Sequence, residues 1–147
     1  MKKFLSYFFI LVLNLTCLSA TLNSCSSTES KSLVAAESQS KSELEKFLDS
    51  RQSSKTAVIK FYADWCGTCR EYAPEFNHAK QALKDSEVDF YEINVDKKEY
   101  SALIKELKVG LIPITYFVSK DRKAIENRIG FISSTQLTEK AKNFILK

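Results

Sequence analysis

The sequence predicts an α/β domain with a central mixed β-sheet flanked by helices on both faces. Short apolar runs rich in β-branched and aromatic residues alternate with longer segments whose apolar residues recur three and four apart. Their order reads α-β-α-β-α-β-β-α, which packs helices against a sheet. The size fits as well: 147 residues, 44% of them hydrophobic, supply one domain with a real core once a leader is removed.

Each element has its own local warrant. Ser42 with Glu45 three residues on reads as a capping box, and Leu44, Phe47 and Leu48 form the apolar face of the helix it starts. Residues 57–62, Ala-Val-Ile-Lys-Phe-Tyr, read as a buried strand. A helix follows from Arg70 to Leu83, where Pro74 removes a backbone donor and is expected to kink the axis. Val88 to Val95 reads as a strand with at least one buried face. A helix over Glu99 to Leu107 turns Leu103, Ile104 and Leu107 inward. Ile114 to Val118 is a strand, 119–123 a turn, and Ala124 to Ile129 its antiparallel partner. Gly130 ends that strand, and Ser133 or Ser134 starts a last helix with Leu137, Ala141, Phe144 and Ile145 on one face.

The N-terminal part has another character. Lys2 and Lys3 precede an apolar run from Phe4 to Leu15, and no acid occurs before Glu29. The run is short for a membrane span, which needs about 20 residues. Leu22-Asn23-Ser24-Cys25 resembles a bacterial lipobox. The expected organisation is a lipoprotein-type signal peptide over 1–24, a flexible Ser-rich linker over 25–40, and a folded domain over 41–147. Cys25 would carry the lipid and anchor the chain to the extracytoplasmic side of a membrane, facing the periplasm in a cell with two membranes. Cleavage near Ala20 and an uncleaved anchor remain as alternatives. Leu33-Val34-Ala35 offers a short edge strand. Removing the first 24 residues takes away two lysines and no acid, so the formal charge of +4 falls to +2, too small an excess to argue for nucleic acid.

With Cys17 in the leader and Cys25 at the lipid site, Cys66 and Cys69 are the only thiols of the folded part. They sit at a strand-to-helix junction, Cys66 near the helix N-terminus, where unpaired N–H groups and the helix dipole favour a thiolate. Such placement lowers a cysteine pKa from about 8.5 to roughly 3.5–7.5. A thiolate with a second thiol in reach supports thiol–disulfide exchange. A purely structural disulfide is the bland alternative. No metal is expected, since a zinc site takes about four ligands and only His78 remains to join the pair. No cofactor is expected; haem attachment would need His where Arg70 stands.

Residues 41–147 resemble the thioredoxin family at four correctly ordered places: 61–69, Phe-Tyr-Ala-Asp-Trp-Cys-Gly-Thr-Cys; Pro74; Ile112-Pro113; and Arg128-Ile129-Gly130 followed by Ser133 and Gln136-Leu137. The first block is especially similar to exported, membrane-tethered members that pass reducing equivalents outside the cytoplasm. The resemblance implies a thioredoxin-like fold, a redox-active Cys66–Cys69 disulfide, Cys66 as the exposed nucleophile and Cys69 as the deeper resolving thiol. It implies that Trp65 and Ile112 border a substrate groove, that the backbone beside a cis Pro113 pairs with the substrate, and that Gly130 lets the substrate backbone approach. Thr68 stands where the family commonly has Pro, and Ile114 where Thr is usual. The strand position that carries a buried Asp in thioredoxins is Lys60, and the neighbouring-strand position that usually carries Lys is Glu92. The pair is inverted, and Glu92 would inherit the task of accepting the Cys69 proton.

The expected function is an exported thiol–disulfide oxidoreductase, a monomer, reducing disulfides of extracytoplasmic proteins and fed by a membrane electron-donor protein. A disulfide-forming oxidase or isomerase and a non-catalytic binding module are the other readings.

Overall fold

The computed structural model describes residues 40–147. The leader over 1–24, the lipid site at Cys25, the 33–35 strand and all but the last residue of the 25–40 linker lie outside the described residues. The elements are α1 (Glu43–Ser50), β1 (Thr56–Tyr62), α2 (Gly67–Ala82), β2 (Val88–Asn94), a 3-10 turn (Lys98–Tyr100), α3 (Ser101–Glu106), β3 (Ile114–Val118), β4 (Ile125–Ile129) and α4 (Ser134–Ile145). The sheet order is β2-β1-β3-β4, with β1 parallel to β2 and the other neighbours antiparallel. This is the thioredoxin fold.

Alternation along β1 divides the core in two. Ala57, Ile59 and Phe61 point to one face, where they pack with Leu44, Phe47, Leu48 and Leu103 of α1 and α3. Val58 points to the other, among Tyr72, Phe76 and Ala79 of α2 and Leu137, Ala141 and Phe144 of α4. Burying side chains of this size stabilises by about 1.5–3 kcal/mol each.

Helix ends are tied by the expected chemistry and by one long-range contact. Ser42 and Glu45 close a capping box on α1, and the Glu106 carboxylate accepts from the Glu43 and Leu44 amides at 2.6 and 3.1 Å. Ser133 caps α4. The region expected as one helix over 99–107 is a 3-10 turn followed by a six-residue α3, with Leu103 buried and Ile104 and Leu107 half-buried. α2 starts three residues earlier than expected, because the Cys66 sulfur serves as its cap, and it runs on through Pro74. Among the described residues no helix is long and apolar enough to cross a membrane.

Candidate active site

β1 ends at Tyr62, and the loop 63–65 delivers Cys66 to the start of α2. Cys66 has extended backbone and its Sγ accepts the Cys69 N–H at 3.2 Å, so a free amide of the helix's first turn is aimed at this sulfur. Cys66 and Cys69 form a disulfide with Cα atoms 5.2 Å apart. Cys66 is 8% exposed and Cys69 3%. The expectation of an exposed Cys66 is therefore corrected: Ala63, Ile112 and its own disulfide partner cover it, although it remains the more open of the two.

The loop is held from the end of β2. Asn94 Nδ2 donates to Asp64 Oδ2 at 3.0 Å, Asn94 Oδ1 accepts the Asp96 N–H at 2.9 Å, and Asp96 Oδ2 accepts the Trp65 indole N–H at 3.0 Å. Arg70 donates to the Asp64 carbonyl at 3.2 Å from the helix side. The sequence does not announce this network, because it joins residues 30 and 31 positions apart that only the β1–β2 pairing brings together.

Across from the disulfide lies the Ile112–Pro113 peptide bond, which is cis. The Ile112 carbonyl is 3.9 Å from Cys66 Sγ, and the Pro113 carbonyl accepts the Gly130 N–H at 2.7 Å. Gly130 has φ +88°, a conformation that favours glycine, and the space beside its Cα is open. Trp65 (68% exposed), Leu111 (63%) and Phe131 (54%) stand as large apolar side chains on the segments that carry Cys66, Pro113 and Gly130. Leu111 and Phe131 are additions to the expected rim of Trp65, Ile112, Pro113 and Gly130. In the sequence each stands beside another apolar residue, Ile112 or Ile132, in a short loop without periodicity, so nothing marks it as rim rather than core.

Behind the disulfide, Lys60 and Glu92 sit opposite each other in the β1–β2 register, with Nζ and Oε2 2.6 Å apart. The Lys60 side chain is 2% exposed and that of Glu92 33%. The ammonium also lies 4.5 Å from the Phe76 ring centroid, 5.3 Å from Tyr62 and 5.8 Å from Tyr72, within cation–π range. Lys60, Glu92 and Cys69 share the wall of one 220 Å³ pocket. Burial pushes the Tyr72 phenol up to about 12, and its hydroxyl is 3.0 Å from that of Thr115. Burial, with help from Asp64 and Glu92, raises Tyr62 as well. His78 is exposed on α2, and among the described residues no three His, Cys, Asp or Glu side chains converge to hold a metal ion.

Residues 35–143 match the family model named Thioredoxin. The chain belongs to the thioredoxin family. It is 33% identical over 99 residues to the thioredoxin of Mycoplasmoides gallisepticum, covering 67% of this chain and 91% of that one. It is 34% identical over 87 residues to a chloroplastic thioredoxin-like protein of Arabidopsis thaliana, covering 59% of this chain. There the match spans only 33% of the relative's length. Among solved structures, mitochondrial thioredoxin 3 of Saccharomyces cerevisiae in its oxidised form is similar with a TM-score of 0.56 and 31% identity, over 68% of this chain and 89% of that one.

Proposed function

We propose that this thioredoxin-family chain is a thiol–disulfide oxidoreductase that reduces disulfides of proteins outside the cytoplasm, tethered there by a lipid on Cys25. The observation that carries the redox reading is the Cys66–Cys69 disulfide at the start of α2, with a helix amide aimed at Cys66 Sγ. In the reduced protein that amide and the helix dipole stabilise a Cys66 thiolate. The thiolate attacks one sulfur of a substrate disulfide; a Cys66–substrate bond forms and the other substrate sulfur leaves as a thiolate. Cys69 then attacks Cys66 Sγ, the mixed disulfide breaks, and the second substrate sulfur leaves with the electron pair. The substrate has gained two electrons and the protein is the disulfide. A membrane dithiol protein returns it to the reduced form by the same exchange in reverse.

Trp65, Ile112, Pro113 and Gly130 form the substrate contact, with Leu111 and Phe131 widening its apolar rim. Glu92 takes the Cys69 proton and passes it to water, while Lys60 keeps the carboxylate in place. The domain acts as a monomer on protein thiols and disulfides, without cofactor, metal or nucleic acid. Export and the lipid anchor rest on the charged start, the short apolar run and the Leu22-Asn23-Ser24-Cys25 pattern. The reducing direction rests on Gly67 after Cys66 and Ile112 before Pro113, which resemble reducing members.

The decisive test is Cys69→Ser. Incubated with disulfide-bearing proteins it should accumulate mixed disulfides through Cys66, visible on non-reducing gels and removed by dithiothreitol. A Cys69→Ser chain that traps nothing would leave only the binding-module reading. Cys25→Ala should lose lipid labelling and move to the soluble fraction.

A further inference from the structure

The two sulfurs receive unequal help from the backbone. The free amide at the start of α2 is directed at Cys66 Sγ, and the positive end of the helix dipole acts there. Cys69 is deeper, and burial among apolar groups by itself holds a thiol protonated. Its ionisation therefore depends on the side chains around it.

The titratable and charged groups at this end of the pocket are Lys60 and Tyr62 from β1, Glu92 from β2, Asp64 from the loop, and Arg70 and Tyr72 from α2. Both tyrosines are raised by burial and stay neutral across the working range. Asp64 and Arg70 are exposed, where water screens their charge. Lys60 and Glu92 remain, and they are not equivalent. The ammonium is almost entirely enclosed, faced by three aromatic rings, whereas a third of the Glu92 side chain is open to solvent. A charge in the interior acts through a far lower dielectric than one at the surface. The pair thus behaves as an oriented dipole whose dry end is positive, and Cys69 lines the same pocket as both ends.

Building on the oxidoreductase reading, we infer that Lys60 stabilises the thiolate of Cys69, so that the resolving thiol ionises below the ordinary cysteine range. Glu92 sets how fast the Cys69 proton leaves; Lys60 sets where its equilibrium lies. In the second exchange step Glu92 accepts the Cys69 proton and Cys69 attacks Cys66 Sγ as the thiolate that the Lys60 ammonium stabilises. The Cys69–Cys66 bond forms, the Cys66–substrate bond breaks, and the departing substrate thiolate takes its proton from water. The mixed disulfide is short-lived at neutral pH for this reason, and an acid at the position of Lys60 would give the opposite sign.

The test titrates Cys69 alone. The full-length chain has four cysteines, so Cys17→Ser, Cys25→Ser and Cys66→Ser together leave Cys69 as its single thiol. Thiolate ultraviolet absorbance followed against pH should give a midpoint below about 8.5. Adding Lys60→Met should raise it by about one pH unit or more, a tenfold change in the ionisation constant. Adding Glu92→Gln should leave it in place or lower it, because a negative neighbour has gone. The double change Lys60→Met with Glu92→Gln, which leaves no orphan charge in the core, should raise it as Lys60→Met does and guards against misfolding of the single variant. An unmoved midpoint without Lys60, or a rise without Glu92, overturns the inference. Failure of the wild-type chain to reduce a protein disulfide would instead strike the oxidoreductase reading, since the titration involves no turnover.

Discussion

The two faces of the sheet differ in kind. Beneath α1 and α3, Ala57, Ile59, Phe61, Ile114, Tyr116 and Val118 make an almost wholly apolar layer, in which the one polar atom of note, the Tyr116 hydroxyl, donates to the Leu107 carbonyl. Beneath α2 and α4 the strands contribute Val58, Phe90 and Phe117, but a polar row crosses them: Glu92, Lys60, Thr115 and Arg128 are neighbours in register from β2 to β4. Lys60 and Thr115 are buried there, and both sit under α2, the helix that carries the two cysteines. Burying an ion pair costs several kcal/mol per charge, and its attraction offsets this only in part. A face built for stability alone would resemble the first one. The second gives up apolar packing in a row that borders the pocket lined by Cys69, as the role proposed for Lys60 and Glu92 requires.

Substitutions on the two faces should separate accordingly. Phe61→Ala, on the apolar face, should have the largest effect on stability, about 3–5 kcal/mol in urea or guanidinium unfolding, because a fully buried ring leaves a cavity. A loss under 1 kcal/mol would mean that this face collapses around the gap. Tyr72→Phe, on the polar face, should cost about 1–2 kcal/mol by leaving the Thr115 hydroxyl unpaired in the core. Glu92→Gln should cost about 1–3 kcal/mol while leaving the fold intact, because the enclosed Lys60 ammonium loses its counter-charge but keeps an amide oxygen and the Phe76 ring as partners. The same variant should slow resolution of the mixed disulfide at neutral pH by up to about a hundredfold, the lower range for loss of a general base. That deficit should shrink in alkali, where Cys69 ionises unaided. Unchanged exchange rates would remove Glu92 from the chemistry and leave the polar row without its reason.

The smallest effect belongs to a surface cluster of one acid and two lysines. Glu126 accepts from Lys140 and Lys147, and these contacts lower its pKa from 4.5 to about 2. A depressed acid contributes stability above its unfolded pKa and loses it as pH falls through the folded value. Glu126→Gln should therefore lower the melting temperature slightly at pH 7, less at pH 3, and not once the pH is well below the folded value of about 2. Salt should erase the difference, as it does for exposed ion pairs generally.

Much of the fold is visible in the sequence. The apolar run 57–62 marks β1 as a buried strand with Lys60 as its one charge, and Ser42 with Glu45 gives the start of α1. Parts that depend on distant residues are harder to read. The start of α2 lacks a Ser, Thr, Asp or Asn cap because a cysteine sulfur fills the role, so its first turn has no signature. The 3-10 turn before α3 packs Tyr100 edge-on against Phe47 of α1, and three residues are too few for periodicity to tell one helix type from another. Similarly, Leu111 and Phe131 acquire meaning only when the Pro113 and Gly130 loops are joined by the hydrogen bond between them.

Trp65 is the chain's only tryptophan, and it directly precedes Cys66. Its indole is largely in solvent yet pinned to Asp96, so it has a defined orientation. All indole fluorescence of the protein therefore originates one residue from the disulfide. A disulfide accepts an electron from an excited indole, while a dithiol does so poorly. The emission of the unlabelled protein is accordingly a gauge of its own oxidation state, one that can be followed in real time while electrons arrive from a donor or leave to a substrate.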